Sequence, residues 1–182
     1  MSSLLRPKSI VVIGASKRPD SVGDWALRNL VKGGYKGTIY PVNPSYEAIE
    51  DIPCYEDLSS LPEIPELAIF AIGDHRIEEV LDEVIKLHIP AAVIFSSLNL
   101  DDDKKPFLKE RLQKKIQNSG LLVCGANGMG FYNIRDNVWA CGFDSSFHHS
   151  PGNVSLISHS GSGMSGILDC EARLRFNFAG ST

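Results

Sequence analysis

Five short apolar runs, separated by stretches of helical periodicity, constrain this chain more than any other feature. The runs are Ser9–Ile13, Gly37–Val42, Leu67–Ile72, Ala91–Phe95 and Leu121–Cys124. Runs this short and this continuously apolar suit strands buried on both faces. Strands that alternate with helices form a parallel sheet with helices on both sides. The intervening segments fit that arrangement. Val22–Lys32 places Val22, Leu27, Leu30 and Val31 on roughly one face. Arg76–Leu87 carries Ile77, Val80, Leu81, Val84 and Ile85 at i, i+3, i+4 spacing. Asp101–Asn118 opens with acidic residues and turns basic toward its end, the polarity a helix dipole favours, and Gly120 supplies a left-handed stop. The expected fold class is α/β, a doubly wound parallel sheet.

The turn after the first run carries the chemistry. Ile10-Val-Val-Ile-Gly14-Ala15-Ser16-Lys17-Arg18-Pro-Asp-Ser21-Val22-Gly23 reads as a buried strand, a Gly/Ser turn and a helix start. Ile39-Tyr-Pro-Val42-Asn43-Pro44 then reads as the next strand. This βαβ order sets a loop rich in backbone N–H groups at a helix N-terminus, where anionic phosphates bind well. The spacing is not G-x-G-x-x-G, and the second strand ends in Asn43-Pro44 where a dinucleotide site normally has a carboxylate for the ribose hydroxyl. Lys17 and Arg18 add positive charge. The loop is suited to a phosphorylated nucleotide other than NAD.

Regular periodicity ends near residue 126. Asn127–Pro151 has the glycines, aromatics and polar residues of a connecting segment. A second βαβ start follows: strand Asn153–Ser158, turn Ser158-His159-Ser160-Gly161-Ser162-Gly163, helix Met164–Arg173 and strand Phe176–Ala179. The chain thus divides into a nucleotide-binding unit over 1–126, a connector over 127–151 and the start of another α/β unit over 152–182. A two-strand βαβ piece cannot cover its own faces, so the 182 residues are expected to be part of a longer polypeptide.

Composition excludes several classes. An apolar fraction of 43% with 22% charged residues is that of a globular protein. The formal net charge of −4 opposes a general nucleic-acid binder. No apolar run reaches the roughly 18 residues of a membrane span, and Met1-Ser-Ser-Leu-Leu-Arg6 does not read as a signal peptide. Cys54, Cys124, Cys141 and Cys170 lack C-x-x-C spacing, so they read as reduced core thiols of a cytoplasmic protein, with no metal site.

The residues Ser9–Ser16, Ser21-Val-Gly23, Gly34-Tyr-Lys-Gly37, Tyr40-Pro-Val-Asn-Pro44, Gly125-Ala-Asn127-Gly-Met-Gly130 and Ser158-His-Ser-Gly161 together resemble the NDP-forming acyl-CoA synthetases. That family includes the succinyl-CoA synthetase α subunits, and the resemblance runs over essentially the whole chain. It implies a Rossmann-like CoA-binding domain followed by the start of a flavodoxin-like subdomain. An ATP-grasp domain would lie in the same or a partner chain, within an oligomer. The implied enzyme activates a small carboxylic acid with ATP and Mg through acyl-phosphate and phosphohistidine intermediates, and passes the acyl group to CoA.

Carried over residue by residue, the resemblance sets Gly14, Ala15, Ser16, Lys17, Arg18, Ser21, Val22 and Gly23 against the phosphates of CoA. Val42, Asn43 and Pro44 lie beside its nucleotide part. Ile72, Gly73, Ser96 and Ser97 rim the same crevice, and Asn127 stands near the thiol end. Ser158, Ser160, Gly161 and Ser162 form a second anion turn, facing the phosphohistidine of the implied enzyme. By the same resemblance, two departures fall where the pantetheine arm and the acyl group should pass. Ser97 is followed by Leu98 where the family usually has Ser-Gly, and the family's Gly-Pro-Asn is here Gly125-Ala126-Asn127. No residue of this chain is assigned a catalytic role. His75 and His88 flank a helix, His148-His149 sit in a loop, and the family has Gln or Arg at His159. The alternatives are a non-catalytic CoA-binding regulatory module and an NAD(P)-binding Rossmann domain.

Overall fold

The computed structural model describes residues 1–144, 150–170 and 175–181, with the side chains of 169 and 170 excepted. After a short helix α1 (Ser2–Leu5), five strands form one all-parallel sheet: β1 (Ser9–Ile13), β2 (Thr38–Val42), β5 (Leu67–Phe70), β6 (Ala91–Ile94) and β7 (Leu122–Gly125), in the order β2-β1-β5-β6-β7. A two-residue pair, β3 (Ala48–Ile49) with β4 (Ile52–Pro53), lies outside it. Helices α2 (Val22–Lys32), α3 (Asp74–Lys86) and α4 (Leu108–Ser119) supply the crossovers.

Alternation along β1 shows why the sheet needs helices on both faces. Val11 and Ile13 pack with Ile77, Leu81 and Val84 of α3 and with Leu112 of α4. Ile10 and Val12 pack the other way, with Ala26, Leu27 and Leu30 of α2. Every residue of β1, β5 and β6 is buried, as expected for strands covered on both sides. The strand order reverses direction between β1 and β5, which makes that gap the switch point where open α/β sheets bind ligands.

Two expectations are corrected. The helix expected over Asp101–Asn118 begins only at Leu108. Pro106 disfavours helical geometry for the residue before it. Asp103 instead accepts a hydrogen bond from the Leu108 N–H at 2.7 Å and an ion pair from Arg111 at 3.2 Å. Gly120 does end the helix in the left-handed region, at φ 74°.

The segment 127–151, expected as a connector, supplies strands β8 (Gly130–Asn133) and β9 (Val138–Cys141). This hairpin joins β10 (Val154–Ser158) and β11 (Phe176–Ser181) in a four-stranded mixed sheet of order β10-β11-β8-β9. The pair β10 and β11 is parallel and bridged by α5 (Gly161–Cys170). The second unit is therefore not left as a bare two-strand piece. Tyr132, Trp139 and Cys141 face α5 through Met164 and Leu168, while Phe131, Val138 and Ala140 pack into the α2 side of the first sheet. Asn29 of α2 secures the junction, its Nδ2 donating to the carbonyls of Cys141 at 3.0 Å and Phe143 at 2.7 Å. The pair His148-His149, the end of the expected helix at Arg173 and Thr182 lie outside the described residues.

Candidate functional site

Gly14 ends β1 at φ 85°, a backbone geometry open to glycine at little cost. A Cβ there would be driven into the Ala71 carbonyl and would stand 2.7 Å from Ile72 Cγ2. Gly23, in the first turn of α2, faces Gly14 directly, and a Cβ on Gly23 would collide with the Gly14 carbonyl oxygen. The two glycines let the helix start approach the strand end. Ser21 caps α2: its Oγ accepts from the Asp24 N–H at 3.3 Å and donates to the Arg18 carbonyl at 2.8 Å. Ser16 Oγ accepts from the Arg18 N–H at 3.0 Å. These hydroxyls shape the loop and leave other donors free. Among the described residues, the amides of Ala15, Ser16, Lys17, Val22 and Gly23 donate to no protein acceptor.

Asn43 closes the loop from β2. Its Nδ2 donates to the Ala15 carbonyl at 2.7 Å, and its Oδ1 accepts from the Ser45 N–H at 3.0 Å. A carboxylate at this position could not donate to Ala15, which gives a structural reason for the missing acidic residue.

These elements open into a cavity of about 580 Å³ at the β1/β5 switch point. Gly14, Ser16, Arg18, Ser21, Val22, Gly23, Asn43, Ile72, Gly73 and Ser96 line it, joined by His75, Arg76 and Phe95. Arg18 and Arg76 are exposed and have no carboxylate within 4.0 Å among the described residues. The site therefore offers free amides, a helix N-terminus and two unpaired guanidinium groups, a donor set matched to phosphate oxygens.

The other expected residues distribute differently. Ala15 is fully buried beneath the loop. Lys17 lies over the Tyr46 ring, 5.5 Å from its centre, and lines none of the principal cavities. Val42 and Pro44, with Gly14, Asn43 and Arg76, border a small side cavity of about 70 Å³. Ser97 and Asn127 line a separate cavity between α4 and the ends of β6 and β7. Asn127 remains tied to the first site through its N–H, which donates to the Ser96 carbonyl at 2.8 Å. None of these cavities is lined by residues 158–162. There Ser158 Oγ donates to the Ser160 carbonyl at 2.8 Å, and Ser160 Oγ accepts from the Gly163 N–H at 3.2 Å, capping α5.

Asp74 and Arg76 were not legible in the sequence. Asp74, the first residue of α3, accepts from Ser96 Oγ, from Ser97 Oγ at 3.2 Å and from the Asn99 N–H at 2.7 Å. Partial burial alone would raise its carboxyl. The hydrogen bonds from Ser96, Asn99 and Ser97 outweigh it and hold the group below the usual carboxylate range. A depressed folded-state value means the clamp contributes stability above the unfolded pKa and loses it as pH falls through the lower folded value. Asp74→Ala leaves three donors without their acceptor. The expected result is a loss of about 1–3 kcal/mol in denaturant unfolding at neutral pH, shrinking as the solution is acidified. Equal stability of the variant and parent at pH 7 would show that the clamp is idle.

Burial raises the Cys124 thiol and pushes Cys141 up to about 12, in keeping with inert core cysteines. No group of three or more metal-ligating side chains occurs among the described residues, and no helix among them is long and apolar enough to cross a membrane.

Fold and site together define a doubly wound nucleotide-binding domain with a phosphate-type loop at its switch point. Residues 8–133 match the CoA binding domain family, and the chain belongs to that family. Its relatives include the acetate–CoA ligase [ADP-forming] II of Archaeoglobus fulgidus, 31% identical over 88% of this chain and 24% of that protein. The acetate–CoA ligase [ADP-forming] of Methanocaldococcus jannaschii is 31% identical over 95% of this chain and 24% of that protein. Among solved structures, the acetyl-coenzyme A synthetase 1 of Ca. Korarchaeum cryptofilum, in complex with phosphate and ADP, superposes with a TM-score of 0.89 at 27% identity. It covers 99% of this chain and 39% of that one. The chain spans about a quarter of the length of the curated relatives it matches.

Proposed function

We propose that this chain is the CoA-binding portion of an ADP-forming acyl-CoA synthetase and holds the CoA phosphates at the Gly14–Gly23 loop. One observation carries the reading. Undonated amides at Ser16, Val22 and Gly23 meet the unpaired Arg18 and Arg76 over a single cavity. The nucleotide part lies toward Val42, Asn43 and Pro44, and the thiol end toward Ser96, Ser97 and Asn127. The contribution of these residues is positioning: holding one reactant in place removes a large share of the entropy cost of the reaction.

In the full enzyme, ATP with Mg and a small carboxylic acid are handled by an ATP-grasp domain in the same or a partner chain. Acyl-phosphate and phosphohistidine intermediates connect the two sites. The names of the relatives, ADP-forming ligases of acids to CoA, support this reading. The Ser158–Ser162 turn serves the phosphoryl group, supported by its place at the start of α5 and by its separation from the CoA cavity.

Calorimetry with CoA and NAD on this chain tests the assignment. CoA is expected to bind and NAD to bind at least about tenfold more weakly, because Asn43 offers the ribose no carboxylate. Tighter binding of NAD would overturn it.

A further inference from the structure

The cavity between α4 and the ends of β6 and β7 has a volume of about 380 Å³ and is not part of the phosphate site. Leu98, Leu112, Ile116, Val123 and Ala126 supply its apolar lining, and all five belong to or pack against the apolar core on that side of the sheet, while Lys109, Gln113 and Gln117 of α4 also line it. Its border with the phosphate cavity is one peptide wide: Ser96 lines the first cavity and Ser97 the second. Asp74 fixes both hydroxyls, and the Asn127 N–H holds the Ser96 carbonyl, so this border has one defined geometry.

Leu98 gives the clearest sign of purpose. It sits at φ 58°, a left-handed conformation that disfavours a leucine, yet its side chain forms part of the cavity wall. A glycine would meet the backbone requirement without strain. The leucine instead places apolar surface where a chain leaving the Ser96–Ser97 border would enter.

The geometry points to this cavity as the acyl subsite, taking an apolar acyl group larger than acetyl carried on the thiol of CoA. The inference rests on the CoA reading above, and it concerns which acids the enzyme accepts. Leu98, Ile116 and Ala126 act as selectivity residues through contact with the acyl chain and make no contact with the phosphates.

Calorimetry of this chain with CoA, acetyl-CoA and hexanoyl-CoA tests it. Hexanoyl-CoA is expected to bind roughly tenfold tighter than CoA, from burial of its methylenes, with acetyl-CoA close to CoA. Ile116→Trp fills the cavity and should erase the hexanoyl advantage while leaving CoA affinity at the parent value. Should that variant not fold, Leu98→Gly provides an independent test. It removes one wall, so the preference for bulky phenylacetyl-CoA over acetyl-CoA should rise severalfold. Equal affinity of the parent for CoA and hexanoyl-CoA, an advantage that survives Ile116→Trp, or an unchanged preference in Leu98→Gly would each overturn the acyl assignment with CoA binding intact. Absence of binding by CoA itself would instead remove the reading on which it rests, and the subsite with it.

Discussion

Gly23→Ala is expected to abolish useful CoA binding, lowering affinity by about a hundredfold or more. The added Cβ would collide with the Gly14 carbonyl, which is backbone and cannot swing aside as a side chain can. Relief requires α2 to move away from the end of β1. That movement separates the Ser16 amide from those of Val22 and Gly23 and breaks the set of donors lining one cavity. Overpacking of this kind costs about 1–3 kcal/mol in stability, and a domain of this size loses about 2–4 °C of melting temperature per kcal/mol. Gly166→Ala is the matching control. Gly166 lies within α5 with nothing within 4 Å of an added Cβ, and alanine there should stabilise the helix by about 0.5–1 kcal/mol. Calorimetry and thermal melts on the two variants separate a general intolerance of substitution from the specific approach of Gly23 to Gly14. Parent-like CoA affinity in Gly23→Ala would show that the close approach is not needed for binding.

The second large effect concerns charge. Replacing Arg18 and Arg76 together by alanine should weaken CoA binding about 30-fold at low salt and flatten its dependence on ionic strength, because screening acts on charge–charge contacts. Lys17→Ala should change affinity less than about threefold, since Lys17 is directed onto Tyr46 and away from the cavity. Titrations at two salt concentrations measure both quantities. A Lys17 effect larger than that of the arginine pair would reverse the assignment of the phosphate-binding charges.

The contrast between Lys17 and Arg76 shows where sequence reading reaches its limit. The strand–turn–helix of Ser9–Lys32 was legible because its information is local: an apolar run, two glycines nine residues apart and a serine cap. The helix α3 was legible from the spacing of Ile77, Val80, Leu81 and Val84, all buried. Arg76 lies some 60 residues from the loop it complements, and only the adjacency of β1 and β5 brings the two together. Asp74 is of the same kind, since its partners Ser96, Ser97 and Asn99 follow the next strand.

The hairpin β8–β9 was hidden for a different reason. Its two four-residue strands are buried on both faces, so neither shows the alternation of apolar and polar residues that marks a half-exposed strand. Its alternation is between two cores, with Phe131, Val138 and Ala140 on one side and Tyr132, Trp139 and Cys141 on the other. Gly33 preserves the second fit: a Cβ there would stand 2.6 Å from Trp139 Cγ. The late start of α4 was, by contrast, written locally in Pro106.

The most direct test of the account is the amide NMR spectrum of this chain during titration with CoA. The amides of Ser16, Val22 and Gly23 line the cavity, donate to no protein acceptor and should take up hydrogen bonds to phosphate oxygens. They should therefore show the largest downfield shifts, accompanied by changes at Arg18 and Arg76, while Ser158, Ser160, Gly161 and Ser162 remain unmoved. Shifts centred on residues 158–162, with residues 15–23 unchanged, would contradict it.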